Sequence, residues 1–112
     1  MQIKKIFQDH VINIISSLVN DGVFVSRPDI SRVVVDTPRD TSHGDIAINA
    51  AMVLSKDARM APRELAEIIQ SKLSELGDVQ KSEIAGPGFI NLSLKADFWQ
   101  RQLTEVLKYK TN

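Results

Sequence analysis

Apolar residues in the first part of the chain recur at intervals of three and four, which is the spacing of one face of an α-helix. The stripe consists of Ile3, Ile6, Phe7, Val11, Ile14, Ile15 and Leu18. It is followed by Asn20-Asp21-Gly22, and a glycine can adopt the left-handed conformation that ends many helices. The pattern therefore predicts an amphipathic helix that starts at Ile3 and stops at this tripeptide.

Two shorter elements are predicted in the middle of the chain. The β-branched run Val33-Val34-Val35, closed by Pro38, has the length of a short buried strand. A polar loop over Arg39–Gly44 leads to a helical face formed by Ile46, Ala50, Val53 and Leu54. The segment Gly44–Ile48 could instead begin as a short strand, and both interpretations stay open.

A second clear helix starts at Pro62, because proline suits the first helical turn and Glu64 favours the positive end of the helix dipole. Gly77 ends this helix, and its apolar stripe consists of Leu65, Ile68, Ile69, Leu73 and Leu76.

The period then changes to that of extended chain. Val79–Ala85 and Phe89–Leu94 are predicted to be strands, joined by the turn-forming residues Gly86-Pro87-Gly88. Asp97 can cap a last helix that runs through Tyr109, with Trp99, Leu103, Val106 and Leu107 on its apolar side. Helices followed by a hairpin, with one or two further strands, indicate one two-layer α+β domain over residues 1–112, in which helices cover one face of a small antiparallel sheet.

Composition removes several classes of function. The 112 residues include no cysteine and two histidines, which excludes disulfides and thiolate chemistry and argues against a zinc site. Fourteen basic residues balance fourteen acidic ones, so strong non-specific binding to nucleic acid is not expected. Neither a membrane span nor a signal peptide is recognisable, and we expect a cytoplasmic protein.

The segment around the second predicted strand carries the most informative chemistry. Because side chains alternate along a strand, Ile90, Leu92 and Leu94 point to the core, and Phe89, Asn91 and Ser93 point to the other face. An aromatic ring can stack on an unpaired base, a carboxamide can bond to its edge, and the glycines Gly86 and Gly88 allow close backbone approach. Alternatively, Phe89 tucks under the last helix and Asn91 bonds to a neighbouring strand.

A second cluster, Ser42-His43-Gly44-Asp45 with Asn49, has a histidine and a carboxylate two residues apart. No convincing nucleophile or metal group accompanies them, so we favour a structural role in which Asp45 or Asn49 caps the following helix. Arg39, Lys95 and Arg101 are weaker candidates for phosphate contacts.

Two motifs in this order carry a resemblance to a known family. They are His43-Gly44-Asp45-Ile46-Ala47-Ile48-Asn49-Ala50-Ala51-Met52 and, after a helix opened by Pro62, Ala85-Gly86-Pro87-Gly88-Phe89-Ile90-Asn91. The chain resembles the N-terminal additional domain of arginyl-tRNA synthetase over nearly its whole length. The resemblance implies a four-stranded antiparallel sheet, and it favours the strand near Gly44–Ile48.

For function, the resemblance implies recognition of tRNA(Arg) at its outer corner, where this domain touches the D-loop. The positions that match Phe89 and Asn91 contact the exposed base there, next to Gly86 and Gly88. Some members of the family carry an asparagine near the position of Gly86.

The whole enzyme would activate arginine with ATP and transfer it to the tRNA, but neither a His-Ile-Gly-His nor a KMSKS type signature occurs in this sequence. We therefore expect a domain that is inactive alone, holds no cofactor or metal, and acts with the catalytic domain of the same synthetase. The alternative is a protein-interaction domain that docks a partner polypeptide through the exposed face of the sheet.

Overall fold

The computed structural model describes residues 3–38 and 44–101 of the chain. Its helices and strands follow in the order α1 (Ile3–Asn20), β1 (Val35–Asp36), β2 (Ile46–Ile48), α2 (Ala50–Ala58), α3 (Pro62–Ser74), β3 (Val79–Ala85) and β4 (Phe89–Leu94). A final helical segment occupies residues 96–101.

The four strands form one sheet in the order β1-β2-β4-β3, and every neighbouring pair is antiparallel. Helix α3 packs on β3 and β4, α2 packs against α3 and β4, and α1 packs against α3 and β1. The predicted two-layer α+β class is therefore confirmed.

The core lies between the helices and one face of the sheet. Ile90, Leu92 and Leu94 of β4 are buried in it, as alternation along the strand predicts. The largest fully buried side chains of the helices include Phe7, Val11, Leu18, Leu54, Leu65, Ile69 and Leu73. Phe98 of the final helical segment joins this core, its ring centroid 5.8 Å from that of Phe7.

The first helix ends as its sequence predicts. Gly22 has a φ of +87°, its N–H donates to the carbonyl of Val19, and the N–H of Val23 donates to the carbonyl of Leu18. These two bonds form a Schellman motif, which satisfies carbonyl groups that the last helical turn leaves free.

The open question about Gly44–Ile48 has a clear answer. Ile46–Ile48 is a strand, and the helical face begins only at Ala50. The strand predicted over Val33-Val34-Val35 covers Val35–Asp36 instead, and α3 ends at Ser74, short of Leu76 and Gly77. The final helix begins at residue 96, so Asp97 lies inside its first turn and does not cap it, and the predicted continuation to Tyr109 lies outside the described residues.

Gly44 brings the start of β2 against β4. The N–H of Asp45 donates to the carbonyl of Leu92 at 2.7 Å, and Gly44 itself has a φ of +112°. A Cβ atom added at Gly44 would lie 2.7 Å from the carbonyl oxygen of Leu92, which is too close for any side chain. Only glycine therefore fits this position.

We expect Gly44→Ala to lower the free energy of unfolding by about 2 kcal/mol or more, since both backbone strain and the clash with Leu92 oppose it. Gly77→Ala is the matched control, because no atom lies within 4 Å of its added Cβ and its φ is not positive. The control should change stability by less than about 0.5 kcal/mol. Urea unfolding of both variants measures this, and equal effects would contradict the assignment.

Candidate nucleic-acid interface

The face of the sheet that points away from the helices carries one continuous row of residues. Strand register pairs Asp36 with Ala47, Ala47 with Asn91, and Asn91 with Glu83. Because the neighbours of Asn91 along β4 face the core, this row lies on the opposite face. Two carboxylates thus flank a central amide.

Phe89 lies at the start of β4, on the same face as Asn91. Its side chain is 39% exposed, which makes it one of the few large apolar residues at the surface of the described part of the chain. The prediction that the ring stands open is confirmed, and it is Phe98 rather than Phe89 that joins the core at the described part of the last helix, residues 96–101.

Asn91 shares the face of Phe89 but not its exposure. The asparagine is 6% exposed, so the expectation that both groups stand uncovered holds for the ring alone. The reason lies in the register: Asn91 has a strand on each side, with Ala47 and Glu83 as partners, and Phe89 has a strand partner only in Ala85.

The hairpin turn Gly86-Pro87-Gly88 depends on both glycines. Gly86 has a φ of +55° and Gly88 a φ of +146°, values that favour glycine. Gly88 is buried, and a Cβ added there would lie 3.2 Å from Cβ of Pro62. The turn therefore rests on the first turn of α3, with Gly86 exposed.

Arg63 also contacts this turn, and the sequence did not single it out. Its Nη1 donates to the carbonyl oxygen of Gly86 at 2.6 Å. Arg63 follows Pro62 in a predicted first helical turn, but only the packing of α3 against the hairpin shows which residues it meets.

The weaker candidates do not gather around Phe89. Lys95 and Arg101 lie past the far end of β4, about 17 Å along the strand from the ring. They line a cleft of about 470 Å³ that includes Asp78, and Arg101 forms an ion pair with that residue. Arg39 lies outside the described residues.

The second cluster has a structural role in its described members. The carboxylate of Asp45 accepts a hydrogen bond from the N–H of Leu94 at 2.8 Å. Asn49 precedes α2 but makes no side-chain cap bond; its carboxamide instead accepts from the N–H of Val34 at 2.6 Å and donates to the carbonyl of Arg32 at 3.2 Å. The expected helix cap is therefore wrong, and these side chains join segments distant in sequence. Ser42 and His43 lie outside the described residues.

Charge is unevenly distributed over the open face. The ammonium group of Lys4 lies 2.9 Å from a carboxylate oxygen of Asp36 and forms an ion pair with it. The hydrogen bond from Lys4, together with a second one from the N–H of Thr37, holds the pKa of the Asp36 carboxyl below its ordinary value. The carboxylates of Asp36 and Glu83 lie on the two edge strands of the face, and Lys81 lies beside Glu83 on the same strand, whereas Arg63 lies at the hairpin turn.

Residues 1–94 match the family model described as the arginyl tRNA synthetase N terminal domain. The chain belongs to this family. Among similar proteins are the arginine–tRNA ligases of Xanthobacter autotrophicus, 51% identical over 96% of the chain, and of Azorhizobium caulinodans, 46% identical over 100% of it. The chain spans 18% and 19% of the length of these two relatives.

The fold of this arginyl-tRNA synthetase N-terminal domain also occurs in a solved structure. The arginyl-tRNA synthetase of Plasmodium falciparum matches 80% of the chain with a TM-score of 0.60 and 17% sequence identity, and the match covers 16% of that protein. At this identity the match supports the fold alone. In the domain itself, none of the helices in residues 3–38 and 44–101 is long and apolar enough to cross a membrane.

The ion pair between Lys4 and Asp36 should make the stability of the domain depend on pH. A carboxyl whose pKa is lowered in the folded state contributes stability above its unfolded pKa and loses it as the pH falls through the folded value. We therefore expect the difference in free energy of unfolding between the parent and Asp36→Asn to shrink as the pH falls below 3.8.

Chemical unfolding at several pH values measures this difference. The Lys4→Gln substitution removes the main cause of the lowered Asp36 pKa. In that background, Asp36→Asn should therefore change the pH dependence of the free energy of unfolding less than it does in the parent. An unchanged effect in that background would refute the role of Lys4.

Proposed function

We propose that the domain binds tRNA(Arg) at the D-loop, on the outer corner of the molecule, by stacking an exposed base on Phe89. The observation that carries this proposal is a 39% exposed aromatic ring beside a glycine-rich turn, in a member of this synthetase family. An exposed ring suits an unpaired base because every base has a π-face, and base–aromatic stacking contributes about 1–3 kcal/mol.

Gly86, Gly88 and Asn91 would contribute less to RNA binding than Phe89. Gly86 is exposed and lets an RNA backbone approach closely, and the buried Gly88 shapes the turn. Asn91 lies on the same face, with only 6% of its surface open, so we propose that a single edge of its carboxamide reads the base. Lys95 and Arg101 would touch a separate part of the RNA, and Arg39, outside the described residues, remains a candidate for a phosphate contact.

In a full-length arginine–tRNA ligase, the domain would position tRNA for arginylation in the cytoplasm. The catalytic domain of the same protein would bind ATP and arginine and perform the reaction. The zero net charge supports a positioning role, since a domain that neutralises few phosphates binds RNA weakly by itself.

Phe89→Ala tests this proposal in a full-length arginine–tRNA ligase that carries the domain. Loss of the stacking contact should weaken tRNA binding about five- to hundredfold, as measured by filter binding, and aminoacylation at low tRNA should fall with it. Asn91→Ala should reduce the preference for the base. Val25→Ala is the control, because it also truncates an exposed apolar residue, 80% exposed, outside the hairpin.

Two results would refute the proposal. One is tRNA binding and aminoacylation that remain at the parent level in both Phe89→Ala and Asn91→Ala. The other is binding of a protein partner through this face that is lost in Phe89→Ala and indifferent to salt, since RNA binding weakens as ionic strength rises. The second result would instead establish the face as a protein-docking surface.

A further inference from the structure

We propose that Arg63 contacts a phosphate of the same RNA segment whose base stacks on Phe89. This inference rests on the proposed function and adds to it a residue at the N-terminal turn of α3.

Arg63 and Phe89 meet the same residue of the hairpin turn. The guanidinium of Arg63 donates to the carbonyl oxygen of Gly86 at 2.6 Å, and the ring of Phe89 lies 3.9 Å from where a Cβ of Gly86 would stand. A nucleotide carries its base and its phosphate on either side of one sugar. A nucleotide stacked on the ring therefore brings a phosphate close to the turn that Arg63 holds.

The guanidinium has donors left for such a contact. It carries five N–H groups in a planar fork that matches a phosphate, and the bond to Gly86 uses one of them. Arg63 is exposed, and the ion pairs among the described residues engage Lys4, Lys5, Lys72 and Arg101 but not Arg63.

Two features of its surroundings favour an anion at this place. Arg63 lies in the first turn of the 13-residue helix α3, where free backbone N–H groups add a partial positive charge that the carboxylate of Glu64 in the same turn offsets in part. The carboxylates of the open face, on Asp36 and Glu83, lie in the row through Asn91 rather than at the turn. The bond to Gly86 also holds the guanidinium in position before RNA arrives, which lowers the entropy that binding costs.

The salt dependence of tRNA binding tests the assignment in the full-length ligase. Arg63→Gln removes the charge but keeps a polar side chain that can donate hydrogen bonds. It should weaken binding and lower the slope of log K against log salt by about 0.7–0.9, the share of one phosphate contact. Arg63→Lys should keep the slope near that of the parent.

Lys72→Gln is the matched control, since it removes one positive charge from the same helix, about 13 Å from Arg63. Its slope should equal that of the parent. Thermal unfolding of Arg63→Gln should also match the parent, which shows that the variant is folded.

The outcomes separate this inference from the proposed function. If Phe89→Ala weakens binding and Arg63→Gln leaves the slope unchanged, the phosphate contact is refuted and base stacking stands. If Arg63→Gln and Arg63→Lys weaken binding equally without a change in slope, Arg63 only braces the turn, which also refutes the contact. If Phe89→Ala and Asn91→Ala both leave tRNA binding at the parent level, the stacking site and the phosphate contact built on it both fail.

Discussion

The pairing of β4 with strands on both of its sides is the constraint on which the rest of this domain depends. Leu92 pairs with Ile46 of β2 and with Ser82 of β3, so β4 is an inner strand and its backbone groups are satisfied from two directions. Because side chains alternate, one face of the strand must then enter the core and the other must lie on the open side of the sheet. Phe89 is the first residue of β4, and the buried residues Ile90, Leu92 and Leu94 fix this strand against the core. The pairing of β4 therefore also determines the position of the exposed ring.

The local parts of the fold could be predicted from the sequence because the physical causes are local. The stripe of α1, its stop at Gly22, the hairpin from Val79 to Leu94 and the buried face of β4 each depend on residues close together in the chain. The exposure of Phe89 was also predictable in part, from its place next to a turn rich in glycine.

Non-local pairing decided what could not be predicted. Asn91 is buried because β2 lies against β4 at that level, and a sequence pattern does not show which strands become neighbours. The same holds for Asp45 and Asn49, whose side chains suggest helix caps but bond instead to backbone groups of Leu94 and of Arg32 and Val34. The contact of Arg63 with the hairpin turn could not be predicted because its partner, Gly86, lies 23 residues away in the sequence.

The proposed RNA contact of this domain centres on the hairpin turn. Asp36 and Glu83 lie on the edge strands of the open face, whereas the exposed ring of Phe89 lies beside the hairpin turn that Arg63 contacts. One stacked base contributes about 1–3 kcal/mol, whereas a micromolar complex needs about 8 kcal/mol. The proposed contact would select and orient an RNA that other surfaces of the ligase also hold. Because Gly88 packs against α3 and Arg63 bonds to Gly86, the position of the turn would matter more to this contact than its area.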